Sequence, residues 1–129
     1  MFKVLLVEDD APVREVLKKL LEREGITVIT ASNGYEAVKL IQTGGGMQVA
    51  ILDRVLPGEL DGTELVRALR DLCPELGIVQ MSGYPRAKKS GEKSEIHDMH
   101  LTKPVRRQDL IDAVTYAIQA HSIHKRACA

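Results

Sequence analysis

The sequence predicts an α/β domain built on a five-stranded parallel sheet with helices on both faces. Three observations predict it. Short aliphatic runs alternate with segments of helical periodicity along the 129 residues, a rhythm that demands right-handed crossovers and a sheet covered on both sides. The aliphatic runs are continuous rather than alternating, as strands buried on both faces are. Finally, several of them stop at chemically active residues: VLLVEDD at Glu8 and Asp9, VAILD at Asp53, MHLTK at Lys103. Parallel strands that end in charge at one edge build one site.

Each element has its own justification. Residues 3–7 are aliphatic and bounded by acid, which makes the first strand. Pro12 suits the first turn of the helix that follows. Val13, Val16, Leu17, Leu20 and Leu21 recur at helical spacing, and Gly25 ends the helix. Residues 26–30 are rich in β-branched side chains and form the second strand. Asn33 with Glu36 three residues on resembles a capping box for a second helix carrying Ala37, Val38, Leu40 and Ile41. Gly44, Gly45 and Gly46 stop it; they lack a following Lys-Ser/Thr and do not open a helix, so they do not read as a phosphate loop.

Residues 49–52 form the third strand, ending at Asp53, and Pro57-Gly58 makes a turn. Asp61 caps a helix carrying Leu65, Val66, Leu69 and Leu72. Pro74 and Gly77 break the chain before the fourth strand, 78–81. The stretch 85–98 is charged, contains Gly91 and shows little apolar periodicity, so a short or mobile fourth helix is expected there. Residues 99–102 make the fifth strand. Asp109 opens the last helix, whose buried stripe is Leu110, Ile111, Val114, Ala117 and Ile118. A single domain over 1–121 with a frayed tail over 122–129 is the expected organisation, without repeat or linker.

Composition narrows the function. Lys plus Arg and Asp plus Glu are 18 each, giving no net charge, which argues against a non-specific nucleic-acid binder. One Phe, three Tyr and no Trp leave no base-stacking platform. No apolar run approaches the roughly 20 residues of a membrane span, and the four apolar residues after Lys3 give way to acid, unlike a secretory signal. Cys73 and Cys128 lack metal-ligand spacing and are expected to be reduced thiols of a cytoplasmic protein.

The strand ends carry the chemistry. Mg²⁺ takes oxygen ligands in an octahedron and needs only one or two carboxylates and a carbonyl from the protein. Asp9 and Asp53 are the expected direct ligands, with Glu8 through water and the carbonyl of Val55 completing the shell; Asp10 is an alternative outer acid. An aspartate beside such a metal also serves as a nucleophile toward phosphorus. Lys103 supplies a point charge to a phosphate oxygen, the Ser82 hydroxyl a hydrogen bond, and Gly83 an open entrance.

The segments VLLVEDD, LDRVLPG, MSGYP and LTKPV, in that order, resemble response-regulator receiver domains of two-component signalling, over roughly residues 2–120. The resemblance implies the sheet order 2-1-3-4-5 of a flavodoxin-like receiver fold. It implies a Mg²⁺-dependent phosphoacceptor that is not an enzyme toward other molecules. Asp53 would accept phosphate from a histidine kinase or a histidine phosphotransfer protein, or from a small donor such as acetyl phosphate. Ser82 and Lys103 would close on the phosphate, and the face of fourth helix, fifth strand and fifth helix would read out the change to an unknown downstream protein. A monomer or weak dimer is expected, with no nucleic-acid or membrane partner; no helix-turn-helix follows Ala120.

The chain departs from the family pattern in places. PGELDG is one residue longer than the commonest loop form and, with MSGYP, is closest to receivers of hybrid histidine kinases. Ser82 stands for the usual Thr. His100 stands for the switch aromatic; a titrating switch and a loosely packed surface histidine both fit that residue. His97 and His100, three apart, do not make a metal pair if His100 lies on a strand. The segment 85–98 fits either a solvated face or a surface that orders on contact. The resemblance implies that the positions two past Asp53 and two past Ser82 flank the path of attacking water; here they are Val55 and Tyr84, which offer no acid or amide to align it. Slow self-dephosphorylation is expected, and a phosphorylated state lasting only seconds would contradict this. Two other readings are a small phosphatase with Asp53 as nucleophile, which Val55 in place of a second Asp disfavours, and a phosphate-insensitive binding module.

Overall fold

The computed structural model describes residues 2–53, 62–83 and 99–121. The strands are β1 (Lys3–Val7), β2 (Thr27–Ala31), β3 (Val49–Asp53), β4 (Gly77–Ser82) and β5 (Met99–Thr102). The helices are α1 (Ala11–Glu22), α2 (Gly34–Gln42), α3 (Gly62–Leu72) and α4 (Arg107–His121). The strands form one sheet in the order β2-β1-β3-β4-β5 with every neighbouring pair parallel. Fold class and strand order are as expected. The helix expected at 85–98, the Pro57-Gly58 turn, the Asp61 cap and the 122–129 tail lie outside the described residues, so α4 here denotes the last helix.

Alternate strand residues face opposite sides of the sheet, and the core divides accordingly. Leu5, Val7, Ala50, Leu52 and Ile78 pack with Ala37, Ile41, Leu65, Val66 and Leu69 of α2 and α3. Val4, Leu6, Val49, Ile51, Val79 and Met81 pack with Leu17, Leu21, Leu110, Ala113, Val114 and Ala117 of α1 and α4. β3 lies in the middle and is buried at every residue. A Cβ on Gly77 would come within 3.1 Å of Ala117 Cβ, so small residues let α4 lie close to β4.

Local signals set the helix boundaries. Asp10 caps α1 through Oδ1, which accepts from Val13 N at 3.3 Å, a use of Asp10 not foreseen when it was counted as an outer acid. Asn33 Oδ1 accepts from Glu36 N at 2.9 Å. The return arm differs from a standard box: Glu36 Oε1 accepts from Ser32 N at 2.6 Å and from Ser32 Oγ at 3.0 Å. Those bonds hold the Glu36 carboxyl below its ordinary pKa. α4 begins before Asp109, because Leu110 N already donates to Arg106 O at 3.0 Å; Asp109 sits in the first turn as a favourable acid.

Some expectations need correction. Val16 is 58% exposed and Leu72 43%. Five apolar positions on α1 span a wider arc than the sheet covers, and Leu72 ends α3 while Cys73 takes the buried place after it. Ile111 and Ile118 are only partly buried; Ala113 sits deeper. Cys73 is disulfide-bonded, not reduced. The compartment rule that favoured free thiols concerns surroundings, and Cys128 lies outside the described residues.

Candidate functional site

Strand parity decides which charged side chains meet. Glu8 follows Leu6 by two residues, Asp53 follows Ile51, and Lys103 follows Leu101; the three apolar residues belong to the core beneath α1 and α4. The charged residues therefore leave their strand ends on that same side. Register brings them level: Val7 pairs with Leu52 and Asp53 with Met81. β4 and β5 end with Ser82 beside Thr102, and Lys103 N donates to Ser82 O at 2.7 Å. The Lys103–Pro104 peptide bond is cis.

The result is a compact acidic site with a lysine inside it. Carboxylate oxygens of Glu8, Asp9 and Asp53 lie within 4.8 Å of one another. Lys103 Nζ donates to Glu8 Oε1 at 2.9 Å and to Asp53 Oδ2 at 2.7 Å. Glu8 and Asp53 are buried and Asp9 is exposed. Arg14, which sequence reasoning missed, donates from Nη1 to the Glu8 carbonyl at 2.7 Å. Glu8 Oε2 accepts from Asp10 N at 3.2 Å, and Glu8 N donates to Ala31 O at 3.0 Å. Glu8 is thus fixed through both backbone and side chain.

The electrostatics follow from crowding. Burial, and then the neighbouring Asp53, raise the Glu8 carboxyl above its ordinary pKa, although the Lys103 hydrogen bond works the other way. Burial alone would lower the Lys103 ammonium; hydrogen bonds and charges from Asp53 and Glu8 outweigh it and raise that pKa. A raised carboxyl favours the folded state below its unfolded pKa and loses that contribution as pH rises through the folded value. In chelator, Glu8→Gln is therefore expected to raise the thermal midpoint near neutral pH. The difference should shrink as pH falls below the ordinary carboxylate range, and melts across pH check it.

The donor set suits a hard divalent cation. Three carboxylates converge, they crowd one another, and one of them faces solvent. Val55, whose carbonyl was expected in the shell, lies outside the described residues. Ser82 is buried and on the other side of the sheet from Lys103 by parity, with His100 on the same side as Ser82. Ser82 Oγ and His100 Nε2 share a hydrogen bond at 3.2 Å, so the histidine is not a loose surface ring. Beside the acidic group, an apolar cleft of about 520 Å³ is lined by Pro12, Val13, Val16 and Leu17 of α1 and by Pro104 and Val105, together with Lys103. Among the described residues no helix is long and apolar enough to cross a membrane.

Known proteins resemble this chain in sequence and fold. A family model described as the response regulator receiver domain matches residues 4–115. The response regulator receiver protein CpdR of Brucella abortus is 31% identical over 115 residues, covering 88% of this chain and 94% of that protein. The sensor kinase CckA of the same organism is 39% identical over 82 residues, which cover 63% of this chain and 9% of that protein; the chain thus spans a small part of that relative. The crystal structure of response regulator TrrA from Thermotoga maritima, in complex with Mg(2+)-BeF, superposes with a TM-score of 0.80 at 30% identity, covering 91% of this chain and 99% of the other. Strand order, the acidic group at the strand ends and a family match over most of the chain agree: the protein belongs to the response regulator receiver domain family, the phosphoacceptors of two-component signalling.

Proposed function

We propose that Asp53 is the phosphoacceptor, with a histidine kinase or histidine phosphotransfer protein as donor. The observation that supports this best is the position of Asp53 at the end of the central strand, within 2.7 Å of the Lys103 ammonium and beside two further carboxylates. An Asp53 carboxylate oxygen forms the new P–O bond as the P–N bond of the donor phosphohistidine breaks, and the imidazole leaves with that electron pair. Lys103 follows the transferred group as a point charge, and Ser82, which by parity leaves β4 on the opposite face from Asp53, would have to reach over the strand end to donate its hydroxyl to a phosphoryl oxygen. Glu8, Asp9 and Asp53, with the carbonyl of Val55, would hold Mg²⁺, which when bound offsets charge on the transferring group. The domain catalyses only its own phosphorylation and dephosphorylation. A downstream protein in the cytoplasm reads the switched state.

Peptide mapping tests the acceptor. Reduction with borohydride converts an aspartyl phosphate to homoserine, and homoserine is expected at position 53 after treatment with acetyl phosphate and Mg²⁺. Homoserine elsewhere, or nowhere, overturns the assignment. The apolar cleft on α1 is the place for the donor's helix, because Lys103 belongs to both cleft and site and exposed Val16 adds apolar surface. Val16→Asp is expected to slow transfer from a phosphorylated histidine protein by tenfold or more, on the order of one interface anchor. Phosphorylation by acetyl phosphate should stay unchanged in the same assay.

A further inference from the structure

We propose that Arg14 is a positioning residue for the metal site: it clasps the turn of residues 8–10 from both ends and so aims the Asp9 carboxylate at Mg²⁺. This rests on the reading of Glu8, Asp9 and Asp53 as the Mg²⁺ site given above. It deepens that reading by naming what holds the one exposed carboxylate of the three.

The clasp is two bonds from one residue. The Arg14 side chain donates from Nη1 to the Glu8 carbonyl at 2.7 Å. Its backbone N–H donates to the Asp10 carbonyl at 2.9 Å. Asp9 lies between those two carbonyls. A peptide unit is planar, so a bond to its N–H or C=O orients the whole unit. The unit joining Val7 to Glu8 is held by Glu8 N, which donates to Ala31 O at 3.0 Å. The unit joining Asp9 to Asp10 is held by Asp10 N, which donates to Glu8 Oε2 at 3.2 Å. The unit joining Glu8 to Asp9 has, among the described residues, the Arg14 bond alone. Without it that plane can turn about ψ of Glu8 and φ of Asp9, and the Asp9 side chain turns with it.

Asp9 is the member of the site that depends on this. Both Glu8 oxygens already have donors, Lys103 Nζ and Asp10 N. Asp53 is buried on the central strand and bonded to Lys103. Asp9 is exposed, and among the described residues nothing bonds its carboxylate, so the backbone sets its direction. Mg²⁺ demands a near-ideal octahedron at short distances, whereas Ca²⁺ accepts a flexible shell. Misdirecting one carboxylate therefore harms Mg²⁺ more than Ca²⁺. Charge alone makes the opposite prediction. A guanidinium beside the site repels any cation, so its removal would tighten the binding of both ions. Position and charge thus differ in sign.

The experiment is calorimetric titration of the full chain with Mg²⁺ and, separately, with Ca²⁺, wild type beside Arg14→Met and Arg14→Lys. Methionine keeps the helix propensity and an apolar stem but has no donor. Arg14→Met is expected to bind Mg²⁺ about threefold to tenfold more weakly, the worth of one hydrogen bond, with a smaller loss for Ca²⁺. Arg14→Lys, which keeps a charge and a donor on a shorter stem, should lie between wild type and Arg14→Met. Arg14→Met binding Mg²⁺ as tightly as the wild type, or more tightly with Arg14→Lys unchanged, overturns the inference alone. So does an equal loss for the two ions in both variants. A wild type that binds no Mg²⁺ overturns the reading of the metal site and this inference with it.

Discussion

Asp53→Asn protein incubated with acetyl phosphate and Mg²⁺ keeps its mass, while the wild type gains one phosphate; intact-mass spectrometry reads the difference. The expected effect is complete because it concerns bond formation and not affinity. A carboxamide oxygen has the shape of the carboxylate oxygen but lacks its charge, so it is a far poorer nucleophile toward phosphorus. Fold is not in question, since Asp53 sits at the end of β3 and the core residues below it are untouched. Phosphate on the variant would move the acceptor to another carboxylate, with Asp9 and Glu8 nearest. A wild type that never takes up phosphate would favour the phosphate-insensitive reading.

Lys103→Met should have the largest effect on stability without metal. The ammonium bridges Glu8 and Asp53 at 2.9 and 2.7 Å, with Glu8 only 1% exposed on its side chain. Without it two buried carboxylates face each other with no cation between them. Removing one partner of a buried pair costs about 3–5 kcal/mol; the partly exposed ammonium places this case nearer ~2 kcal/mol. Urea unfolding in chelator measures that loss. Mg²⁺ should then restore more stability to the variant than it adds to the wild type, because in the wild type it competes with Lys103 for the same oxygens. Equal shifts in both proteins would show that ammonium and cation do not share the site.

The strands were legible because their apolar runs are unbroken. β1 and β3 fall where the residues put them, and β4 extends by one residue at each end, to Gly77 and Ser82. Periodicity located the helices but overstated their buried arcs, as Val16 and Leu72 show. It cannot tell how much of a helix its sheet will cover. At the site, identity was legible and connectivity was not. Glu8, Asp9, Asp53 and Lys103 stand out as strand-end residues, yet only register and parity reveal that one lysine bridges two particular carboxylates. The Ser82–His100 contact is a diagonal between two strands separated by 18 positions in sequence, which no local pattern encodes. Arg14 was missed because its partner is a backbone carbonyl, a group every residue has.

The sheet's order divides the site between two regimes of local opening. β3 is enclosed by a strand on each side and buried throughout, so its amides open only when the whole domain does. β5 comes last in the order, pairs with β4, and has Leu101 as its one buried residue; its amides open by local fraying at far lower cost. Hydrogen exchange is thus expected to be slow at the acceptor on β3 and faster on β5, an edge strand, which carries His100 and leads into Lys103. Chemistry at Asp53 has little room to displace its own strand. A response to charge placed at Asp53 is therefore expected first at the edge, as a change in amide exchange on β5 with that on β3 unchanged.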